Sequence, residues 1–312
     1  MNKISNRQVI CDKLIDLAKD DKNIMVLACD SRGSASMGNF VKEYPEQFVE
    51  IGIAEQNAVG VAAGLATCEK KPYIASPACF LSMRSIEQVK VDVAYSKTNV
   101  KLIGISGGVS YGALGMTHHS LQDIAVMRAI PDITVILPAD RFETEKMVEA
   151  LVNFNGPAYI RIGRNAVEDV YENSDFNFEI GKGNTMCEGD DITIIATGET
   201  VKPAIDASKL LLSEGIRCRV INMHTIKPLD RKVIIKAAKE TRGIITIEEH
   251  SIFGGLGAAV AEVVSQENPV KMKIIGIKDE APITGNSKEV FNYYGLTAEN
   301  LVFEAKKILS EK

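Results

Sequence analysis

Val100-Lys-Leu-Ile-Gly-Ile105 runs straight into Ser106-Gly-Gly-Val-Ser-Tyr-Gly112-Ala-Leu-Gly115-Met-Thr117-His118-His119-Ser120. An apolar run broken by a single lysine is followed by a glycine-rich loop that holds two adjacent histidines. Comparable apolar runs recur at 24–28, 72–76, 133–137, 158–162, 192–196, 217–223, 244–248 and 273–277. Between them lie stretches at 7–18, 55–67, 85–95, 141–152, 202–213, 231–239 and 256–264, whose apolar residues return every three or four positions, as one face of a helix requires. Strands that are apolar nearly throughout, rather than alternating, suit parallel strands covered on both faces. The pattern predicts an α/β fold of three-layer units with mostly parallel sheets.

Working outward, the residues from Val167 to Gly189 include Glu168, Asp169, Glu172, Asp175 and Glu179 and no long apolar run. They read as a polar linker at 169–189 between a first domain at 1–168 and a second at 190–312. Two domains agree with 312 residues at roughly 100–200 per domain. With 46% apolar and 25% charged residues, the chain has the composition of a soluble globular protein. A net charge of −5 argues against nucleic acid or an anionic membrane as partner. The six cysteines are scattered without a C-x-x-C pair, and four sit in apolar or strand-like runs, so buried reduced thiols are expected. The start, Met1-Asn2-Lys3-Ile4-Ser5, has no apolar leader pattern, and no run approaches the roughly 20 apolar residues of a membrane span. The expected location is the cytoplasm.

Several segments carry residues suited to chemistry. In Ile51-Gly-Ile-Ala-Glu55-Gln-Asn-Ala-Val-Gly-Val-Ala-Ala-Gly64-Leu-Ala66 one carboxylate sits among apolar, small and amide residues. Glu55 there either answers a helix macrodipole in the first turn or is held desolvated as a proton donor or acceptor. The loop after the 100–105 strand lies where parallel α/β proteins build sites, although a glycine-rich helix start with a solvent-facing His119 has the same pattern. Asp30-Ser-Arg-Gly-Ser34 follows the first strand in the same way. Arg161-Ile-Gly-Arg164 follows another, and its guanidinium groups suit either an anion or a surface ion pair. There is no P-loop, and Gly255-Leu-Gly257 lacks the third glycine of a dinucleotide fingerprint and reads as helix packing. Glu248-Glu249-His250 is a weak metal-site signal without further ligands at metal spacing.

Taken in order, Ile51–Ala66, the His118 loop continuing through Leu121–Pro131, Val135-Ile-Leu-Pro138-Ala-Asp140, Ile226-Lys-Pro228-Leu-Asp230 and Ile247-Glu-Glu-His250 with Gly254-Gly-Leu-Gly257 resemble the transketolase superfamily. The resemblance covers nearly the whole chain. It implies a pyrimidine-binding domain followed by a transketolase C-terminal domain, and thiamine diphosphate with Mg2+ or Ca2+ as cofactors. The family's GDG motif for the diphosphate and metal is not in this sequence, so the resemblance implies an N-terminal transketolase subunit on a second chain. That subunit would hold the metal, and the assembly would be a heterotetramer. Carried over, Glu55 matches the glutamate that hydrogen-bonds the aminopyrimidine and promotes its proton-transferring tautomer. Phe80 matches the aromatic residue stacked on that ring, Asp30 an acid near the thiazolium, and His118 a histidine that bonds substrate oxygens. Arg7, Ser34 and Arg164 match positions that hold the terminal phosphate of a sugar.

Two departures bear on the substrate. Ordinary members carry GEDG where this chain has Gly112-Ala113-Leu114-Gly115, and Leu114 accepts no hydrogen bond from a sugar hydroxyl. Ser106 stands where many members have a histidine. A site that loses one such acceptor prefers a different sugar. The expected activity is therefore transfer of a two-carbon ketol unit from a ketose to an aldose, on a non-standard deoxy, branched or anionic-tailed sugar. The alternatives are a 2-oxo acid dehydrogenase β subunit, a deoxyxylulose-phosphate-synthase-like enzyme, and a non-catalytic transketolase-like binding subunit.

Overall fold

A computed structural model of the chain describes residues 4–310, so Met1–Lys3 of the polar start lie outside the described residues. The strands are β1 (Ile24–Ala28), β2 (Phe48–Glu50), β3 (Lys71–Pro77), β4 (Lys101–Ile105), β5 (Thr134–Ile136), β6 (Ala158–Arg161), β7 (Asn184–Cys187), β8 (Ile192–Ala196), β9 (Cys218–Asn222), β10 (Thr225–Lys227), β11 (Gly243–Ser251) and β12 (Lys271–Ile277). They form a seven-stranded sheet in the order β10-β5-β6-β4-β3-β1-β2 and a five-stranded sheet in the order β12-β11-β8-β9-β7. All pairings are parallel except β10 on β5 and β7 on β9, each at a sheet edge. The α/β architecture expected from the apolar runs is the one observed. Because β4, β8 and β9 are buried along their whole length, helices must cover both faces.

Three strands were not legible in the apolar pattern. β2, β7 and β10 are short, and each gains strand form by pairing with a neighbour already in place. β7 falls inside the polar stretch 169–189, and that stretch is pinned rather than free. Asp140 Oδ2 accepts from the backbone N–H groups of Val170 (2.8 Å) and Tyr171 (2.9 Å), and the Tyr171 ring stacks on Phe176 at 3.8 Å. β10 comes from the chain's second half yet extends the first sheet. The two halves also share one apolar cluster in which Ala58, Val59, Ile124 and Leu137 join Ile195, Met223, Ile226 and Ile234.

The helix expected at 85–95 is α-helical at Ile86–Gln88 and then widens to a π-helix over Val89–Tyr95. The helix Glu55–Thr67 buries Ala58, Ala62 and Ala63, and these small side chains allow close approach to the first sheet. Gly257 does the packing expected of it, since a Cβ there would lie 2.4 Å from Ile274 Cγ2. Cys11, Cys29, Cys79 and Cys218 are buried free thiols, Cys187 is half-buried and Cys68 is exposed. Among the described residues no helix is long and apolar enough to cross a membrane.

His224, between β9 and β10, is fully buried. Its ring stacks on Phe178 at 4.3 Å, and burial lowers its pKa to about 4. A folded-state value below the unfolded 6.5 means that the unfolded chain takes up a proton which the folded chain refuses. Stability carried by the neutral ring is thus present above pH 6.5 and lost as the pH falls toward 4, by about 3 kcal/mol over that window. The expected NMR result is a His224 ring signal that stays at its neutral position from pH 8 to about pH 5, well below an ordinary imidazole. A midpoint near 6.5 in the folded chain would refute the burial argument.

Candidate active site

The C-terminal ends of β1, β3, β4 and β6 carry most of the residues singled out in the sequence, as the rule for parallel sheets requires. Asp30 follows β1, Phe80 lies in the helix Ala78–Met83 after β3, Ser106 opens the loop after β4, and Arg164 follows β6. Glu55 stands at the first position of its helix with its carboxylate almost closed off, at 2% exposure. The first-turn placement is the one observed, and the carboxylate is buried. Glu55 Oε2 accepts from Arg84 Nη1 at 2.9 Å, and the Arg84 guanidinium lies over the Phe80 ring at 4.3 Å.

From Phe80 the contacts continue along one arc. The Phe80 and His118 rings meet edge-on at 5.2 Å, His118 meets Tyr111 at 5.3 Å, and Arg164 lies over Tyr111 at 5.1 Å. Thr117 Oγ1 and His118 Nδ1 are 2.9 Å apart. Arg7 donates to the backbone carbonyls of Ser34 and Arg164. Burial and then the neighbouring Arg164 charge lower the Arg7 pKa. Arg7 Nε and Arg164 Nη1 are buried without a hydrogen-bond partner in the protein. Two like charges held together with unspent N–H donors favour an anion between them. The structure thus brings together Glu55, Phe80, His118, Arg164, Arg7 and Ser34.

The other candidates stand in the loops that follow β1 and β4. Asp30 is exposed in a left-handed conformation (φ 52°), and its backbone N–H donates to Glu50 Oε1 at 2.7 Å. Ser106 is fully buried at φ 54° with its Oγ unpartnered. Leu114 stands 53% exposed on the turn Gly112–Thr117. His119 does not face solvent; it is buried and its Nε2 pairs with the Gly112 carbonyl at 3.0 Å.

Arg161 is neither an anion ligand nor a surface ion pair. It is buried, with Nε 3.3 Å from Asp123 Oδ2 and Nη2 donating to the Glu249 carbonyl at 2.6 Å. The Glu-Glu-His run is likewise structural in what it touches. Glu248 accepts from the backbone N–H groups of Leu256 and Gly257, both at 2.7 Å, at the start of the helix Leu256–Glu267. His250 Nε2 lies 3.9 Å from Asp123 Oδ1. Burial raises the Glu249 pKa and lowers that of His250 to about 4.

Sequence reasoning missed Arg84 and Tyr111, as well as the Asp123–Arg161–Glu249 group. Arg84 had a visible signal: it lies four residues after Phe80, the spacing that puts two side chains on one helix face.

The family model for the transketolase pyrimidine binding domain matches residues 2–169, and that for the transketolase C-terminal domain matches residues 181–301. The chain belongs to the transketolase family. This transketolase chain is 55% identical over 300 residues to an apulose-4-phosphate transketolase subunit of Phocaeicola vulgatus, with 96% of both chains covered. It is 36% identical over 309 residues to a 6-deoxy-6-sulfo-D-fructose transketolase subunit of a Clostridium species, covering 98% of this chain and 95% of the relative. A solved structure described as a split gene transketolase, an inactive beta4 tetramer, superposes with a TM-score of 0.91 at 37% identity, covering 98% and 99% of the two chains. The chain is thus a transferase subunit of the split kind, in a family that works with thiamine diphosphate.

The residues present fit that cofactor. The Arg84 guanidinium, flat and rich in N–H groups, already rests on Phe80 and on Glu55, and a flat, nitrogen-rich aminopyrimidine suits the same two contacts.

Behind the arc, Tyr159 Oη donates to the buried Asp123 Oδ2 at 2.6 Å, and Gly104 leaves room for it, since a Cβ there would lie 2.4 Å from the hydroxyl. Tyr159→Phe removes that donor and is expected to destabilise the fold by about 1–3 kcal/mol in urea denaturation. A loss under about 0.5 kcal/mol would show that Asp123 does not depend on the hydroxyl.

Proposed function

We propose that this chain transfers a two-carbon ketol unit between sugars that end in an anionic group, on a ketose other than the ordinary transketolase substrates. The observation that carries this reading is the pair Arg7 and Arg164, with unspent buried donors, at the far end of the arc that begins at Glu55. Leu114 in place of an acid supports the non-standard sugar. So do the relatives whose names specify apulose 4-phosphate and 6-deoxy-6-sulfo-D-fructose.

Bound thiamine diphosphate supplies a nucleophilic carbon that cleaves and remakes the ketose carbon–carbon bond. Glu55 holds a proton at the aminopyrimidine nitrogen, where its closed surroundings keep water from competing. Phe80 offers its face to the ring. His118, steadied between Phe80 and Tyr111, donates to a substrate oxygen as charge develops there. Asp30 and Ser106 border the reacting end, and Leu114 meets a part of the sugar without a hydroxyl to satisfy. Arg7, Arg164 and the Ser34 segment hold the anionic tail. The diphosphate and its Mg2+ or Ca2+ belong to a partner chain carrying a GDG motif, in a cytoplasmic heterotetramer. Residues 1–168 and 190–312 are taken as the two domains, joined by 169–189.

In the pair reconstituted with that partner, Glu55→Gln is expected to lower kcat by about 10²–10⁴-fold while circular dichroism stays native. Activity within a factor of about three of the native pair would remove Glu55 from proton transfer. Arg164→Ala is expected to raise KM about 10–100-fold for a phosphate- or sulfonate-tailed ketose and to leave an uncharged ketose nearly unchanged. An equal loss on both would place Arg164 away from the tail.

A further inference from the structure

The segment 106–120 carries Ser106, Tyr111, Leu114 and His118, and the first domain accounts for only part of its order. Within the segment, Gly108 and Ser120 exchange backbone hydrogen bonds of 3.1 and 2.8 Å, and Ser110 Oγ donates to the Gly107 carbonyl at 2.7 Å. Gly107 N–H donates to the Ile162 carbonyl of the first domain at 2.9 Å, and further contacts come from the second domain. Val109 N–H donates to Glu249 Oε1 at 2.8 Å, and Ser251 N–H donates to the Leu121 carbonyl at 3.1 Å. The backbone at Gly112 and Gly115 closes against Gly285 and Thr284, since a Cβ at either would lie 2.8 Å from the Gly285 carbonyl or 2.7 Å from Thr284 Cγ2.

Glu249 is the chemically unexpected member of this set. It is 4% exposed, and a buried carboxylate used only for filling space is readily replaced by an apolar side chain. Here the carboxylate meets the loop backbone directly. A Cβ at Gly108, where φ is 62°, would lie 2.2 Å from the Glu249 carboxyl carbon and 2.4 Å from Arg161 Nη2. The carboxylate accepts the one N–H, that of Val109, which follows the left-handed turn at Gly108.

We propose that Glu249 of the second domain is a positioning residue that fixes, through Val109, the loop presenting His118 and Leu114 to the sugar. It touches neither sugar nor cofactor, and it acts on substrate fit while leaving the Glu55–Arg84 and Arg84–Phe80 contacts alone. The kinetic part of this inference rests on the proposed function; the structural part does not.

The test uses Glu249→Met, which keeps size but removes the acceptor, and Glu249→Gln, which keeps an acceptor oxygen for Val109; both lose the charge that lies 3.8 Å from Arg161 Nη2, so only the Val109 acceptor separates them. Hydrogen exchange is measured on the chain, KM for the ketose on the pair with its partner, and thiamine diphosphate affinity on that pair by calorimetry. Glu249→Met is expected to speed exchange across 106–120 and to raise the ketose KM about 10-fold, with cofactor affinity within about 2-fold of native. Glu249→Gln is expected to restore most of both. Unchanged loop exchange and KM in Glu249→Met, or a Gln variant as impaired as Met, would overturn the proposal. Should Glu249→Met fail to fold, the native chain still decides. The Val109 amide must exchange more slowly than those of Ala113 and Leu114, and fast exchange there overturns the proposal as well. A native pair without ketol transfer would count against the proposed function alone, because the exchange arm reads the loop without substrate.

Discussion

Arg161 is a guanidinium buried at the end of β6, between Asp123 at the start of one helix and Glu249 near the end of β11. A charge in that position is costly unless it is met from several sides, and removal of one partner leaves the others stranded. Arg161 is therefore met by an acid from each half of the chain and by a backbone carbonyl. Its volume also accounts for the glycines nearby. A Cβ at Gly107 would lie 2.4 Å from Arg161 Nε, so the loop after β4 runs over the guanidinium as bare backbone. Gly107, Gly108 and one polar contact across the junction of the domains are fitted to this buried charge.

The apolar runs gave away the strands at the centre of each sheet, because those strands are covered on both faces and their composition says so. β7 and β10 were hidden for the complementary reason. Asn184–Cys187 and Thr225–Lys227 have little strand character of their own and are ordered by the edges on which they land. Glu55, Phe80, His118, Arg7, Ser34 and Arg164 were singled out through the resemblance to transketolases, and the fold strings them along one arc of contacts. Asp123, Arg161 and Glu249 were not legible, because their roles depend on contacts 88 and 38 residues apart that no local pattern encodes. Glu248-Glu249-His250 looked like a fragment of a metal site, whereas the fold uses its three side chains on a helix start, a loop amide and an acid.

Charge is distributed along the arc in a way that suits the proposed chemistry. The acid is closed off at the end where a proton must be held, and the unspent arginine donors lie at the opposite end. The chain as a whole carries −5, so two adjacent guanidinium groups form a local reversal of sign rather than part of a general positive field. Their mutual repulsion is a standing cost of the fold, which on the proposed reading an anionic tail relieves.

The same geometry separates what is free to vary from what must stay. Gly112 and Gly115 are fixed by close contact with Gly285 and Thr284, and Val109 is fixed by Glu249. Ala113 and Leu114, between those fixed points, present exposed side chains. A change at 113 or 114 therefore falls on exposed side chains between fixed points of the backbone. On the proposed reading, that is how a loop lacking the usual acid coexists with an intact cofactor end: the second domain clamps the backbone, and the side chains between the clamps are left to the substrate.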